Sequence, residues 1–353
     1  MLFRSGGWGA RRRNSASAGP SGVRVSTIPL PGKAASSCTR GGTYPLADGT
    51  DEGFGARRLT RLGLQRLADL QRGSQPWLLR LSYVAPHTPV LAPPPFDRLY
   101  PESACAFDPD RDAAVAGMSA YERSVVATQE SRSLSPAQVA RARATYYGLV
   151  SAIDREIGML LDHVPPETIV VLTGDHGTML GEMGLWQKQI FNRKVHQVPY
   201  VIRAPGLPPD RRTDAADLLD SGPTLLGLCG LPPCPGSAGR DLFAPDCQPK
   251  DIFAAFGFGD DGAFMYEALD RGPGCPRRVC LRSGPWRLDL SIRRHGRILG
   301  PAEYDTFFCD TREDPEERCN AAGEARFSGI VSELTDRLVA WHRETAAATA
   351  VES

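Results

Sequence analysis

The sequence predicts an α/β protein in which helices sandwich a mostly parallel sheet, followed by a smaller C-terminal α+β subdomain. Amphipathic helical stretches alternate with short apolar runs of the kind that form buried strands, a pattern typical of such a sheet. The chain has 353 residues, which is more than one domain usually contains. Its residues are 41% hydrophobic and 23% charged, as in globular proteins with a packed core.

The N-terminal residues differ in composition from the rest. Residues 1–47 contain six arginines and one lysine among Ser, Gly and Ala, but no acidic residue. Such a segment is typical of an organelle transit peptide and lacks the apolar stretch of a secretory signal, although a disordered or wrongly assigned leader is the alternative. We therefore predict a disordered leader over 1–43, an α/β domain over 44–230 and a C-terminal subdomain over 231–353.

The first elements of the α/β domain are a helix and a strand. Leucines 59, 62, 67 and 70 form one stripe of a helix, and Asp51 is a candidate cap before it. The apolar run from Trp77 to Val84 predicts a buried strand. The prolines from 86 to 95 then require an extended loop, which holds His87 at the exit of that strand.

The next elements repeat the alternation. Ser135 and Pro136 are a candidate cap and first residue of a long helix, with apolar residues recurring every three or four positions. "ETIVVLTGDHG" predicts a second strand ending in a turn, and "VPYVIRAPG" (198–206) predicts a third. Helices over about 213–228 and 324–344 complete the chain, the second of them beyond several short strand-like pieces.

The turn after the second strand contains two candidate functional residues. Asp175 and His176 lie between two glycines, which lets the backbone bring both side chains toward one point. A carboxylate there suits a hard cation such as Ca²⁺ or Mg²⁺, and an imidazole suits one less well. From these residues alone, a strand-ending turn whose Asp caps the next segment is the simpler interpretation.

A longer segment around this turn favours a functional role for Asp175 and His176. "TGDHGTMLGEMGLWQKQIFNRKVHQVPYVIRAPG" resembles the sulfatase family of the alkaline phosphatase superfamily, in the segment where an Asp and its neighbour bind the metal and a Lys follows. "RATYYGLVSAIDREIGMLLD" is similar to the helix before that strand, and "SYVAPHTPVLAPPPFDRLYP" to the Pro-His-x-Pro loop. "EYDTFFCDTREDPEERCN" resembles the C-terminal signature. Four motifs in family order imply an alkaline-phosphatase-like fold, close to arylsulfatase, iduronate-2-sulfatase and choline-sulfatase.

The resemblance implies a role for each matched residue. Asp175 and His176 would bind Ca²⁺ (or Mg²⁺), and Lys188 would contact the oxygens of a sulfate ester, where its ammonium stabilises negative charge. His87 would bind the sulfate or protonate the leaving group. The substrate would be a small-molecule or glycan sulfate ester. Glu182 and Trp186 belong to the same motif as supporting and packing residues.

One part of the family pattern is missing. Sulfatases of this type take their nucleophile from a Cys-x-Pro/Ala-x-Arg signature that is oxidised to formylglycine, and no Cys or Ser of this sequence matches it. The acidic pair that ends the family's opening strand is also absent. We therefore expect a truncated sulfatase with half of a metal site, inactive or incomplete as it stands.

Composition limits the kinds of partner, membrane segment and cysteine site that the chain can have. Lys plus Arg and Asp plus Glu are both 41, so net charge gives no argument for a nucleic-acid partner. No apolar run reaches the roughly 20 residues of a membrane span. The nine cysteines match no zinc pattern, and either partial disulfide pairing or free thiols would explain them. Compartment and oligomeric state are left open.

Two other functions compete with sulfate-ester hydrolysis. A phosphonate or phosphodiester hydrolase of the same superfamily would use a related site for a different anion. A non-catalytic protein that keeps the partial site would bind sulfated sugars without turnover. Comparing binding and turnover of aryl sulfate and aryl phosphodiester separates the three.

Overall fold

The computed structural model of the protein describes residues 2–4, 24–27, 54–106, 117–128, 134–256, 277–294 and 297–350. The strands are β1 Leu2–Arg4, β2 Arg24–Thr27, β3 Trp77–Arg80, β4 Ile169–Thr173, β5 Met179–Leu180, β6 Trp186–Gln187, β7 Tyr200–Arg203, β8 Ile252–Phe256, β9 Arg277–Ser283, β10 Trp286–Arg294, β11 Arg297–Ile298 and β12 Thr306–Asp310. The α-helices are α1 Gly55–Gln71, α2 Glu102–Cys105, α3 Ala120–Thr128, α4 Pro136–Leu161, α5 Arg193–His196, α6 Ser221–Leu228 and α7 Ser328–Ala350.

The larger sheet has five strands in the order β2-β3-β1-β4-β7. Strands β2, β3 and β4 run in one direction, while β1 and β7 run in the other. The predicted common direction therefore holds for three of these five described strands. Most of their hydrogen-bonded pairs are nevertheless antiparallel, because β1 lies between β3 and β4 and because β7 pairs with β4 in the opposite sense.

Helices cover both faces of this sheet, as predicted. Trp77 and Leu79 of β3 are buried in a cluster with the leucines of α1 and the end of α4. Leu78, which points to the opposite face, packs in a second cluster with Ile169 and with Leu225 and Leu228 of α6. The period-2 alternation of a strand thus divides β3 between two apolar layers.

The long helix α4 begins where the sequence predicts. The Ser135 hydroxyl accepts a hydrogen bond from the Gln138 N–H (3.2 Å), and the Gln138 side chain accepts one from the Ser135 N–H (2.8 Å). This reciprocal pair is a capping box, with Pro136 at the first helical position. At α1 the residue before the helix is Phe54, which makes no side-chain cap, and the predicted cap Asp51 lies outside the described residues.

The disordered leader over 1–43 stays a prediction, but two short segments within it are strands in the structure. Residues 2–4 form β1, which pairs with both β3 and β4, and residues 24–27 form β2 beside β3. Strand β1 supplies backbone partners that β3 and β4 need on their facing sides, which is the physical reason for a strand there. The rest of residues 1–53 lies outside the described part of the chain.

The smaller sheet is antiparallel and forms the predicted α+β subdomain. Its order is β11-β10-β9-β8, and β12 pairs with the other part of β10. Leu334 and Leu338 of α7 pack on its apolar face. The domain boundary at residue 230 stays a prediction. The backbone N–H groups of Arg240 and Leu242 donate to the side chains of Asp220 and Thr224, so hydrogen bonds connect the residues on its two sides.

The cysteines of the described residues are free thiols, which agrees with the second of the two alternatives. Burial raises the pKa of Cys280 to about 12 and that of Cys229 to about 11. Thiols with raised pKa values and little access to solvent are weak nucleophiles. Cys38 and Cys275 fall outside the described ranges. No described helix combines the length and the apolar character needed to cross a membrane.

Candidate active site

Asp175 and His176 lie in the turn that follows β4. The Asp175 carboxylate accepts a hydrogen bond from the backbone N–H of His176 (2.9 Å), so the carboxylate also shapes the turn, as the simpler interpretation of the sequence predicted. Its side chain is nevertheless 88% exposed, whereas that of His176 is 31% exposed. The carboxylate is therefore still open to a ligand beyond the sheet edge.

A short hairpin brings Lys188 to His176. Strands β5 and β6 pair with Met179 opposite Gln187, so the residue after β6 returns to the residues before β5. The turn between them uses Gly181 at a φ of 99°, a left-handed conformation that favours glycine. The Lys188 Nζ consequently lies 2.7 Å from the His176 Nε2, twelve residues away in sequence.

The hydrogen bonds of His176 assign its protons. Its Nδ1 lies 2.8 Å from the Gly177 carbonyl oxygen, which only accepts, so Nδ1 carries a hydrogen. Its Nε2 is then the acceptor of a hydrogen bond from the Lys188 ammonium. The pair places a positive charge, held by an oriented imidazole, beside an exposed carboxylate.

His87 lies on the loop after β3. Its Nδ1 donates to the Thr88 carbonyl (2.8 Å), and its backbone N–H donates to the Val84 carbonyl (3.0 Å), so the loop itself fixes the ring. Within the described ranges Nε2 makes no hydrogen bond to another residue. Strands β3 and β4 run the same way with β1 between them, which sets the two strands about 10 Å apart, so the His87 loop and the Asp175 turn leave the same end of the sheet.

The two loops share one core. Val90, three residues after His87, is fully buried in a cluster with Leu149 and Ala152 of α4. Leu180 and Trp186 of the hairpin belong to the same cluster. Helix α4 therefore fixes the His87 loop and the Lys188 hairpin relative to each other, and Trp186 has the packing position that the sequence predicts.

Glu182 supports the hairpin from its turn. Its Oε2 accepts a hydrogen bond from the Leu180 N–H (2.6 Å), and its Oε1 lies 3.4 Å from the Arg143 guanidinium of α4. These contacts tie the turn to its own strand and to the helix below. Glu182 is thus engaged within the hairpin, as expected of a supporting residue.

The described residues offer only some of the ligands that a divalent metal ion needs. Ca²⁺ takes six to eight oxygen ligands, and Mg²⁺ about six ligands in octahedral geometry. Within the described ranges no three His, Cys, Asp or Glu side chains cluster as a metal site would need. Asp175 offers a carboxylate, but both His176 nitrogens are engaged, one with Gly177 and one with Lys188. The described residues therefore do not complete a metal centre, and the roles of Asp175 and His176 as ligands stay predictions.

The Asp175 turn lies against helix α5 with no room for a side chain at Gly177. The Gly177 N–H donates to the Val195 carbonyl (2.6 Å), and a Cβ on Gly177 would overlap the Lys194 carbonyl oxygen. We expect Gly177→Ala to lower the free energy of unfolding by about 1–3 kcal/mol, because backbone must move to admit the methyl group.

Gly158 provides the matched control for this substitution. It lies in α4, with nothing within 4 Å of an added Cβ, so Gly158→Ala should raise the stability by about 0.5–1 kcal/mol. Urea unfolding curves for the two variants measure both effects. Equal midpoints for the two variants would contradict the close approach at Gly177.

Sequence reasoning missed the residues that hold α5. Asn192 caps this helix by accepting from the Lys194 N–H (2.9 Å), and Glu317 accepts from the Arg193 N–H (2.8 Å). The segment "DPEE" (314–317) has the composition of a surface turn, but its Glu317 lies in a buried ion-pair network, and α7 begins only at Ser328. The partners are more than 120 residues apart, so no local pattern signals them.

Comparison with known proteins identifies the family. The sequence model of the Sulfatase family matches residues 34–231, more than half of the chain and the part that carries His87, Asp175, His176 and Lys188. The chain belongs to the sulfatase family. The alkaline-phosphatase-like fold predicted from its motifs is confirmed by solved structures of that architecture.

Individual relatives cover different shares of the chain. The choline-sulfatase of Rhizobium meliloti (strain 1021) is 30% identical over 183 residues, 48% of this chain and 36% of its own. The iduronate 2-sulfatase of Homo sapiens is 28% identical over 225 residues, 51% of this chain and 41% of its own. The phosphonate monoester hydrolase of Agrobacterium radiobacter superposes with a TM-score of 0.69 at 19% identity, covering 87% of this chain and 64% of that one. The chain thus spans less than half the length of these two curated relatives.

Proposed function

We propose that this protein acts on sulfate monoesters as a sulfuric ester hydrolase of the sulfatase family. The contact between the Lys188 ammonium and the His176 imidazole, beside the exposed Asp175 carboxylate, carries the proposal. A fixed cation at the edge of the sheet is suited to an anionic ester group, and in α/β folds ligands bind beyond the carboxyl ends of strands. The names of the choline-sulfatase and iduronate 2-sulfatase relatives support a sulfate ester as substrate.

The side chains would divide the work between binding and proton transfer. Lys188 would hold an oxygen of the sulfate group and stabilise the negative charge that develops on the leaving oxygen. Thr88 fixes the Nδ1 of His87, so Nε2 would face the leaving oxygen of the ester. When the ring is protonated, Nε2 would donate its proton to that oxygen. A Ca²⁺ or Mg²⁺ ion bound by Asp175 and further ligands would supply additional positive charge.

The nucleophile of the family is not among these residues. None of the nine cysteines lies in a Cys-x-Pro/Ala-x-Arg segment, and those in the described ranges are free thiols, several of them buried. Recognition of the sulfate ester is therefore the property that the described site supports directly. The test measures binding and turnover separately for this reason.

Substitution of Lys188 tests the proposal. We expect Lys188→Ala to weaken the binding of 4-nitrophenyl sulfate at least tenfold, because a charge-assisted contact to the ester is lost. Any turnover by the wild-type chain should fall about a hundredfold. Isothermal titration calorimetry measures the binding, and the release of 4-nitrophenol measures the turnover.

Arg58→Ala is the control, since Arg58 lies on the exposed face of α1 and its loss removes one positive charge away from the site. We expect this variant to bind the ester like the wild type. Equal affinities of wild type and Lys188→Ala would reject the proposed site. Binding without turnover would identify the chain as a sulfate-ester-binding protein.

A phosphonate monoester is the second candidate substrate. The similarity to the Agrobacterium radiobacter phosphonate monoester hydrolase, over 87% of this chain, supports it, although at 19% identity the likeness shows the fold alone. A tetrahedral anion with one ester bond presents similar oxygens to Lys188 in either case. Tighter binding of an aryl phosphonate than of the matched aryl sulfate would favour this candidate.

A further inference from the structure

The acidic turn at residues 314–317 holds the segment that leads into α5. The Glu317 Oε2 accepts the backbone N–H of Arg193 (2.8 Å), and the Glu316 carbonyl accepts the Asn192 side-chain amide (3.0 Å). The Glu316 carboxylate also lies 2.8 Å from the Lys194 ammonium. Three consecutive residues before and within α5 are thus bound by a turn from the C-terminal subdomain.

Glu317 is itself rigidly held. Its side chain is 1% exposed, and its carboxylate accepts from two nitrogens of Arg282 (2.6 and 2.8 Å) and from Arg287 (3.2 Å). Burial alone would raise the pKa of Glu317, but the hydrogen bonds and charge of Arg282, with the charge of Arg287, outweigh it and lower that pKa below its usual range. Arg282 also donates to the Phe191 carbonyl (2.7 Å), so it holds the same segment directly.

Helix α5 in turn sets the position of the candidate site. Its Val195 carbonyl accepts the Gly177 N–H, and its Lys194 carbonyl fills the space where a Gly177 side chain would lie. The Gly177 carbonyl then fixes Nδ1 of His176, and Nε2 of the same ring accepts from Lys188. A continuous set of contacts therefore runs from Glu317 through α5 to the His176–Lys188 pair.

We propose that the acidic turn of Glu316 and Glu317 positions the His176–Lys188 pair and acts through Asn192, Arg193 and the α5 contact to Gly177. The C-terminal subdomain then does more than stabilise the fold, because its acidic turn sets the geometry of an anion site on the other sheet. The consequence for sulfate-ester binding rests on the proposed function. The contacts that position the pair lie within the chain and do not depend on which ester the site binds.

Amide hydrogen exchange of the full chain tests this claim without any substrate. In Glu317→Gln we expect the Gly177 amide to exchange at least tenfold faster than in the wild type, because α5 is no longer held against the turn. Amides of Leu288 and Leu290 in the core of β10 should change less than the Gly177 amide. Glu313→Gln, which alters an exposed ion pair with Arg326 near the same turn, should leave Gly177 unchanged.

Asn192→Ala is the second variant and leaves the buried charges intact. It removes the cap of α5 and the hydrogen bond to Glu316, and it should also speed Gly177 exchange more than exchange in β10. If Glu317→Gln does not fold, this variant decides the question. Unchanged Gly177 exchange in the folded variants, or acceleration equal to that of the β10 core, overturns the positioning role.

Binding of 4-nitrophenyl sulfate by the same variants extends the test to function. We expect Asn192→Ala to bind the ester at least threefold more weakly, with Glu313→Gln equal to the wild type. Wild-type affinity in a variant whose Gly177 exchange is accelerated would overturn the effect on the site. Absence of binding in the wild type would instead reject the proposed function, and hydrogen exchange would still decide the positioning claim.

Discussion

Arg287→Ala should unfold at a much lower urea concentration than the wild type, with a loss of about 3–5 kcal/mol. Arg287 is fully buried, and its guanidinium contacts Asp289 (2.6 Å), Glu122 (3.2 Å) and Glu317 (3.2 Å). It also stacks over the Phe307 ring at 4.1 Å. Removing it leaves three buried carboxylates short of a positive partner, and buried charges without partners are strongly destabilising.

The effect should extend across the joint between the two sheets. Glu122 lies in α3, whereas Arg287 and Asp289 lie in β10, so one guanidinium holds an element of the first unit against the second. Nearby, the Asp305 carboxylate accepts from the Ala120 and Tyr121 N–H groups at the start of α3 and from Arg278 of β9. Loss of Arg287 should therefore lower the unfolding midpoint of α3 and of the smaller sheet together.

Arg326→Ala provides the matched control for this prediction. Arg326 makes ion pairs with Glu313 and Glu324 that are comparably short, but all three side chains are about half exposed. Exposed pairs contribute little because solvent screens them, so we expect the unfolding curve of this variant to match that of the wild type. Chemical unfolding followed by circular dichroism compares the two variants, and equal midpoints would show that the buried network does not stabilise the fold.

Much of the fold follows from local patterns in the sequence. The Ser135 cap and Pro136 place the start of α4, and the apolar runs at 77 and 169 become strands β3 and β4. The motif that contains Asp175 and Lys188 also gives the right neighbours, because its glycines permit the hairpin turn that brings the two ends together. These features depend on residues that are close in sequence, where propensity and turn chemistry are informative.

Features that depend on distant partners could not be predicted in this way. The pairing of β1 between β3 and β4 is determined by strand edges far along the chain. The burial of Glu317 depends on Arg282 and Arg287, which belong to two neighbouring strands of the same subdomain, 35 and 30 residues away. An acidic residue in a turn motif has the composition of a solvated surface, and only the tertiary structure shows that this one lies inside.

Acidification should destabilise the protein progressively below about pH 6.5. The His196 ring packs edge-on against Phe191 at 4.9 Å, and burial together with the charges of Arg282 and Arg287 lowers the pKa of His196 to about 4. An unfolded histidine titrates near 6.5. Between these values the unfolded chain binds a proton that the folded chain does not, so stability falls as the pH is lowered from about 6.5 to about 4.

The buried carboxylates add to this loss at lower pH. Burial would raise the pKa of Asp289, but the charges of Arg287 and Arg278 outweigh it, so this pKa is lowered, as is that of Glu317. A carboxylate with a lowered pKa stabilises the fold above its unfolded value of about 4 and loses that contribution as the pH falls further. The loss of stability is therefore due mainly to His196 as the pH falls from about 6.5 to about 4, and mainly to the buried carboxylates at lower pH.

Replacing His196 separates the two contributions. We expect His196→Gln to abolish most of the pH dependence of the unfolding free energy between pH 6.5 and 5, a change of about 2 kcal/mol. His163→Gln is the control, because His163 is exposed at the end of α4, where its Nδ1 donates to the Met159 carbonyl. Urea titrations at half-unit steps of pH measure the slope. If His196→Gln keeps the wild-type slope while His163→Gln flattens it, the acid sensitivity does not arise at α5, and His196 is not the group whose pKa is lowered by burial and by the charges of Arg282 and Arg287.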